Sequence, residues 1–258
     1  MILKMKLSRL VFILVILVMP SLSFGNDNAN ALFLKANAYY TKGQYKEVLG
    51  AYRQIVDEGY QSAPLYFNLG NAFYKTGDIP SALLYYEKAH KLAPGDDDIN
   101  FNIRFVNSRT TDKVGQNPEF FLYSWWKTFM LNFSIGTLSA MSIVFIFLAS
   151  AMLILYFFAT SVSLKKASFY TSLLLSFLFA LTFFIASEQT AYFEGHRQAI
   201  VFTSSVSVKN SPANSSNALF VIHDGTKVNI LETNNGWLKI ALPYGNEGWI
   251  KAADAKEI

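Results

Sequence analysis

Apolar and polar positions follow three different rhythms along the chain, and each rhythm predicts a different kind of element. From residue 29 to 110 apolar residues recur at three- and four-residue spacing, the pattern of helices buried on one face. From 128 to 164 and from 167 to 187 no charged side chain occurs, and only Lys165 and Lys166 separate the two stretches. From 199 onward short β-rich runs alternate with turn residues. The start is different again: basic Lys4, Lys6 and Arg9, apolar Leu10 to Val18, then Pro20 and small residues at Ser21, Ser23 and Gly25. That order predicts a secretory leader over 1–25, with cleavage fitting after Gly25 or after Ser23. Retention as an anchor is the alternative, although the apolar run falls short of the roughly 20 residues a permanent span needs.

Within the helical region, residues 63–96 place Leu69, Gly70 and Phe73 on one helix and Ala82, Tyr86 and Ala89 on the next. Gly77 supplies the turn and Pro94 ends the unit. The small residues let the two helices approach closely, while Phe73 and Tyr86 fill the space around their crossing. This pattern resembles a tetratricopeptide repeat (TPR) over its full period. A weaker copy lies one period earlier, at 29–62. There Ala36, Tyr39, Gly43, Tyr45, Leu49 and Tyr52 stand for Gly70, Phe73, Gly77, Ile79, Leu83 and Tyr86, and Val48 and Ile55 replace the alanines. Each repeat leaves an apolar face open to its neighbour, so residues 97–110 are expected to form a capping helix. Asp96 to Asp98 stand at its N-terminus, where the helix dipole favours negative charge. Ile99, Phe101, Ile103, Phe105 and Val106 are its expected apolar contacts, with Arg104 and Arg109 facing water. The acidic triplet lacks the glycine and the distant glutamate of a calcium loop, so capping is the better reading.

The resemblance implies an all-α TPR domain over 26–112 that binds proteins along a groove lined by the first helix of each repeat. Phe33, Asn37, Tyr40, Phe67, Asn68, Asn71 and Tyr74 would face that groove, the asparagines bonding a peptide backbone and the aromatics holding side chains. Some TPR domains clamp a terminal carboxylate. Here Asn37 and Asn68 match that pattern, but Phe33, Asp98 and Asn102 occupy its cationic positions. An internal or helical segment is therefore the expected ligand.

The charge-free stretches predict two transmembrane helices. One unbroken helix of that extent would be about 90 Å long, three times the apolar thickness of a bilayer. The chain must double back, giving spans at 137–158 and 168–187 around a turn at 159–167. Short lysine-rich loops stay cytoplasmic, which places Lys165 and Lys166 inside and both flanking soluble parts outside. The leader sends the repeat domain to the same side. Phe120, Phe121, Tyr123, Trp125, Trp126 and Phe129 crowd the segment 113–136 before the first span, and amphipathic rings favour the headgroup zone. Phe121, Trp125 and Phe129 share a face at spacing four, which predicts a short interfacial helix. A linker over 188–198 follows the second span.

Residues 199–258 read as about five strands: Ala199–Val201, Val206–Val208, Lys227–Leu231, Trp237–Ile240 and Gly248–Ile250. Turn signals stand at Asp224-Gly225, Asn234-Asn-Gly236 and Gly245-Asn-Glu-Gly248. A chain of this length closing on itself predicts a small all-β barrel. The strings VSVKNSP, LFVIHDGTKVNILETNNGWLKI and GWI resemble a bacterial SH3 domain, with Ser211 where glycine is commoner. Members of that family bind cell-wall peptides or glycans, or pack against partner domains. Trp237 and Trp249 are the candidate ligand contacts, or else part of the barrel core.

Charge removes one class of partner. Ten basic and ten acidic side chains cancel over 26–118, and 188–258 holds six basic and seven acidic, so neither soluble part carries the field that nucleic acid needs. There is no cysteine, hence no thiol chemistry. His90, His196 and His223 lie outside any metal-ligand spacing, and each is expected to be internally satisfied or solvent-facing. No convergent acid, base or nucleophile is recognisable. The chain is read as a non-enzyme without metal or cofactor.

The order of leader, two repeats, two-span hairpin and SH3-like module resembles the BatE-type proteins of bacterial aerotolerance operons. That resemblance implies a place in the bacterial inner membrane with both soluble domains periplasmic. The implied partners are membrane-bound von Willebrand A-domain proteins and a MoxR-type ATPase system. A scaffold working through the repeats is one function this architecture fits. A peptidoglycan-binding or wall-sensing protein working through the SH3-like module is the other.

Overall fold

A computed structural model of the chain describes residues 27–112, 120–243 and 245–258. The expected leader and residues 113–119 of the linker lie outside them. Contacts divide the chain into two units, one ending at Tyr60 and the other beginning at Gln61.

The first unit is a helical hairpin, α1 (Asp27–Thr41) and α2 (Tyr45–Asp57). Ala36, Val48 and Tyr52 are fully buried and Ile55 nearly so. The two residues that depart from the repeat pattern, Val48 and Ile55, thus still serve as core. Tyr52 donates its hydroxyl to Asn37 Oδ1 across the hairpin.

The second unit opens with the other repeat, α3 (Ala63–Lys75) and α4 (Ile79–Leu92). Ser62 caps α3 by accepting from Leu65 N, and Asp78 caps α4 by accepting from Ser81 N. A prolyl residue sits in the first turn of each, where a missing N–H costs nothing. Leu69, Ala72, Ala82 and Ala89 are fully buried. A Cβ on Gly70 would stand 2.5 Å from the Tyr86 ring, so the helices cross more closely than any side chain there would permit. Tyr86 Oη donates to Asn71 Oδ1 at 2.7 Å, which repeats the Tyr52–Asn37 bond one period on.

The cap, α5 (Asp97–Asn107), starts on Asp96, whose carboxylate accepts from Asp98 N and Ile99 N. Its apolar side is narrower than the sequence implies. Ile99 and Val106 are buried, whereas Phe101 and Phe105 are 58% and 38% exposed. Those two rings lie on a face left uncovered among the described residues.

Next come α6 (Phe121–Leu131), α7 (Ile135–Phe158) and α8 (Val162–Gly195). The last two are long and apolar enough to cross a membrane. They run antiparallel: Ser142 Oγ donates to Thr182 Oγ1, and Ser172 Oγ donates to the Ala149 carbonyl. Ile135 and the C-terminal third of α8 therefore share one end of the hairpin. Both helices exceed the expected spans. At about 51 Å, α8 outreaches a bilayer core. It takes Lys165 and Lys166 into its first turns, leaving only Ala159–Ser161 as the connection. At its other end α8 continues through Glu188 into Gly195, where a linker was expected. Gln189, fully buried, donates to the carbonyl of Phe133 at 2.9 Å and ties α6 and α7 to this extension.

The C-terminal module is an antiparallel sheet. Its strands are β1 (Gln198–Val201), β2 (Ser205–Lys209), β3 (Ala218–His223), β4 (Lys227–Asn234), β5 (Trp237–Ala241), β6 (Glu247–Lys251) and β7 (Ala255–Glu257), in the order β3-β2-β6-β5-β4-β1-β7. The barrel expected from the sequence is not closed. The three-residue β7 stops on β1, and β3 forms the opposite edge. Irregularities at Val208/Lys209 and Ile230/Glu232 bend the sheet round one aliphatic core that includes Val201, Val208, Ile222, Val228, Ile240 and Ile250. Two strands beyond the expected five, β3 and β7, form its edges.

Candidate interaction surfaces

The residues expected to line the repeat groove are half-buried on α1 and α3, and several are already engaged within their own repeat. On α1, the Phe33 ring lies 5.5 Å from Tyr52, the Asn37 carbonyl accepts from Tyr52, and Tyr40 meets Tyr45 edge-on at 5.4 Å. Burial, and then the nearby Tyr45, pushes the Tyr40 phenol above its usual range. On α3, Phe67 packs 5.8 Å from Tyr86 and Tyr74 meets Phe105 edge-on at 5.6 Å. The Asn71 carbonyl accepts from both Tyr86 and, at 3.2 Å, Asn102 Nδ2. Its oxygen therefore braces the repeat. Asn68 is half-buried on the same helix.

The contribution of α5 was missed at the level of sequence. Phe101, Phe105 and Arg109 recur at spacing four, the signal for a single exposed face. Counting those apolar residues as cap core concealed it.

Trp237 and Trp249 belong to the sheet's outer face. Their neighbours Leu238, Ile240 and Ile250 point into the core, while the two indoles are half-buried on the other side. Trp237 pairs across the ladder with Lys251, and Trp249 lies between Lys239 on β5 and Lys209 on β2. Lys239 in turn bonds Glu247 at 2.9 Å, a bond that raises its pKa. The face combines flat apolar rings with ammonium groups.

A third cluster joins the second repeat to the sheet. Asp112 accepts from His223 N at 2.7 Å, from Thr226 Oγ1 at 2.6 Å and lies 3.0 Å from His223 Nδ1. Partial burial alone would raise this carboxyl. The bonds from Thr226 and His223 outweigh that and hold it below the usual carboxylate range. Lys227 Nζ reaches Glu87 Oε2 at 2.7 Å, and the Glu87 side chain is only 5% exposed. His90, expected to be satisfied or solvent-facing, is half-buried against Phe193, with its Nδ1 enclosed and without a hydrogen-bond partner. Burial depresses its pKa; the other influences are Glu87 and a bond with Asn100, which raise it, and Lys227, which lowers it. His223 serves this junction, and His196 is exposed with Nδ1 2.7 Å from the Tyr192 carbonyl.

Among the described residues no three His, Asp or Glu side chains gather as a metal site. Two family profiles match the chain: the tetratricopeptide repeat at 63–96 and the bacterial SH3 domain at 204–256. Both families are typically non-catalytic interaction modules. Comparison with the curated proteins finds no match.

Proposed function

We propose that this chain is a non-enzymatic, membrane-anchored scaffold that holds protein partners through its repeat helices on the extracytoplasmic side of a bacterial inner membrane. The observation that carries this reading is the placement of a TPR unit and an SH3-like sheet together at one end of two antiparallel, membrane-length helices. Proteins of one membrane system are then the natural partners. The resemblance to BatE-type proteins supports von Willebrand A-domain proteins and a MoxR-type ATPase as the system served. Lys165 and Lys166, at the far end of the hairpin, support its cytoplasmic placement. Single cysteines at Ser62, Ser163 and Ser215 test the topology, since the chain has none of its own. An impermeant thiol reagent is expected to label the first and last in intact spheroplasts and spare Ser163. The reverse pattern would end the proposal.

A second reading rests on the outer face of the sheet, where Trp237 and Trp249 stand among Lys209, Lys239 and Lys251. Flat rings stack on sugar faces and lysines attract the acidic groups of wall peptides, so this face supports peptidoglycan binding. Co-sedimentation of the detergent-solubilised full chain with purified cell wall tests it. Loss on Trp249→Ala would favour the wall reading, and no sedimentation of the wild type would reject it.

A further inference from the structure

We infer that the binding face of the second repeat runs on over the capping helix and ends in a site for a carboxylate, so that the partner segment is acidic and apolar together. The inference rests on the reading of the repeats as protein-binding and names the chemistry of what they bind. The wall of this face begins on α3 with Phe67, Asn71 and Tyr74. It passes to α5 through the Asn102–Asn71 bond and the edge contact of Tyr74 with Phe105. Phe101 then stacks on Phe105 at 6.1 Å, with ring planes 12° apart. Arg109 closes the far end, its guanidinium 4.8 Å from the Phe105 ring and 5.7 Å from Tyr74.

The arrangement prepares Arg109 for an anion. The two rings hold the guanidinium between them, and an aromatic face takes the charge without consuming the N–H groups, which remain for a carboxylate. Among the described residues, the nearby groups that could have consumed those N–H groups are engaged elsewhere. No carboxylate pairs with Arg109 among the described residues. The nearest acid in sequence, Asp112, accepts from His223 and Thr226. The last carbonyls of α5 at Phe105 and Asn107 accept from the Ser108 and Thr110 hydroxyls. The acidic residues of α5 itself, Asp97 and Asp98, stand at its other end, about 15 Å away along the helix. A segment lying on this wall meets exposed rings along its length and a positive charge at one end. An Asp or Glu within a few residues of aromatic or aliphatic side chains matches both.

The test uses the full chain in lipid nanodiscs and a displayed library of random twelve-residue peptides. Binders are expected to carry Asp or Glu close to Phe, Trp or Leu. A synthesised binder should weaken about tenfold on Arg109→Gln, the scale of one charge-assisted bond. Converting its acid to the amide should weaken it similarly, with little further loss when both changes are combined. Arg109→Lys should recover only part of the affinity, and Phe101→Ser should weaken binding while unfolding stays unchanged. Binders without an acidic preference, or indifferent to Arg109→Gln, overturn the inference and leave the repeat reading standing. No enrichment by the wild type over an Asn71→Trp, Phe105→Trp variant overturns both. Self-association lost in Arg109→Gln would make a second copy the occupant and end the proposal.

Discussion

At the scale of single residues, Gly225 shows two separate demands on one position. Its φ is +82°, and an added Cβ would lie 2.8 Å from Thr110 Cγ2, just past α5, and 3.4 Å from Leu83 Cδ1 on α4. Gly236 has nearly the same φ, +80°, with nothing within 4 Å. Gly236→Ala thus isolates backbone strain, about 1–3 kcal/mol. Gly225→Ala adds a collision that only undocking relieves. Hydrogen exchange should quicken at 110–112 and 223–227 in the second variant and stay local to the β4–β5 turn in the first. His90 makes a pH prediction. Burial depresses its folded pKa, so the unfolded chain takes up the proton first. Its neutral form stabilises the fold above the ordinary imidazole value of about 6.5. That stability is lost as pH falls from there through the lowered folded value. Unfolding midpoints should drop between pH 7 and 5 in the wild type and drop less in His90→Leu. Equal slopes would mean that His90 is not the titrating group.

At the scale of elements, α6 presents an aromatic face left exposed among the described residues: Trp125 is 67% exposed and stacks on Phe129, whereas Trp126 turns toward Phe184 of α8. Such a face beside membrane-length helices is expected in the headgroup zone of the proposed membrane. In variants keeping a single tryptophan, brominated lipids should quench Trp125 strongly and Trp126 less. Equal quenching would show that α6 lies free of the bilayer. Elements whose signal is local were legible in the sequence. The core residues of a repeat hairpin pack mainly on neighbours within one 34-residue period, so Ala36, Tyr52, Leu69 and Tyr86 could be assigned to a core by spacing alone. Length and absence of charge sufficed for the two long helices. Strand β3 was not legible. Leu219 and Val221 point outward at 53% and 48% exposure, so ALFVIH lacks the alternation that marks a half-buried strand. The outward turn of Phe101 and Phe105 was hidden because spacing identifies a face but not whether anything covers it.

At the scale of the molecule from Gln61 on, the docking of sheet to repeat depends on residues 111 to 140 positions apart, which no local pattern reveals. Asp112 and Glu87 were read only among the ten cancelling acids, and Lys227 only as the start of a strand. The candidate site suffered the same way, since Arg109 gains its meaning from Tyr74 on another helix. The docking responds to acid through Asp112. Its folded pKa is depressed, so its contribution is complete above about pH 4 and is lost as pH falls through the folded value. The Lys227–Glu87 pair permits a sharper experiment. Glu87 is nearly enclosed, while Lys227 keeps 30% of its side chain exposed. Lys227→Met leaves a carboxylate enclosed without its cation. Breaking a fully buried pair in this way costs about 3–5 kcal/mol, and the solvent at Lys227 reduces the loss to about 2–3 kcal/mol. Adding Glu87→Gln removes the stranded charge, so the double variant should recover more than half of that loss. Both are read from exchange protection of β1 and β4 in the full chain. If the double variant is no more protected than Lys227→Met, the pair is not what holds the sheet against the repeat, and Asp112 alone carries the junction.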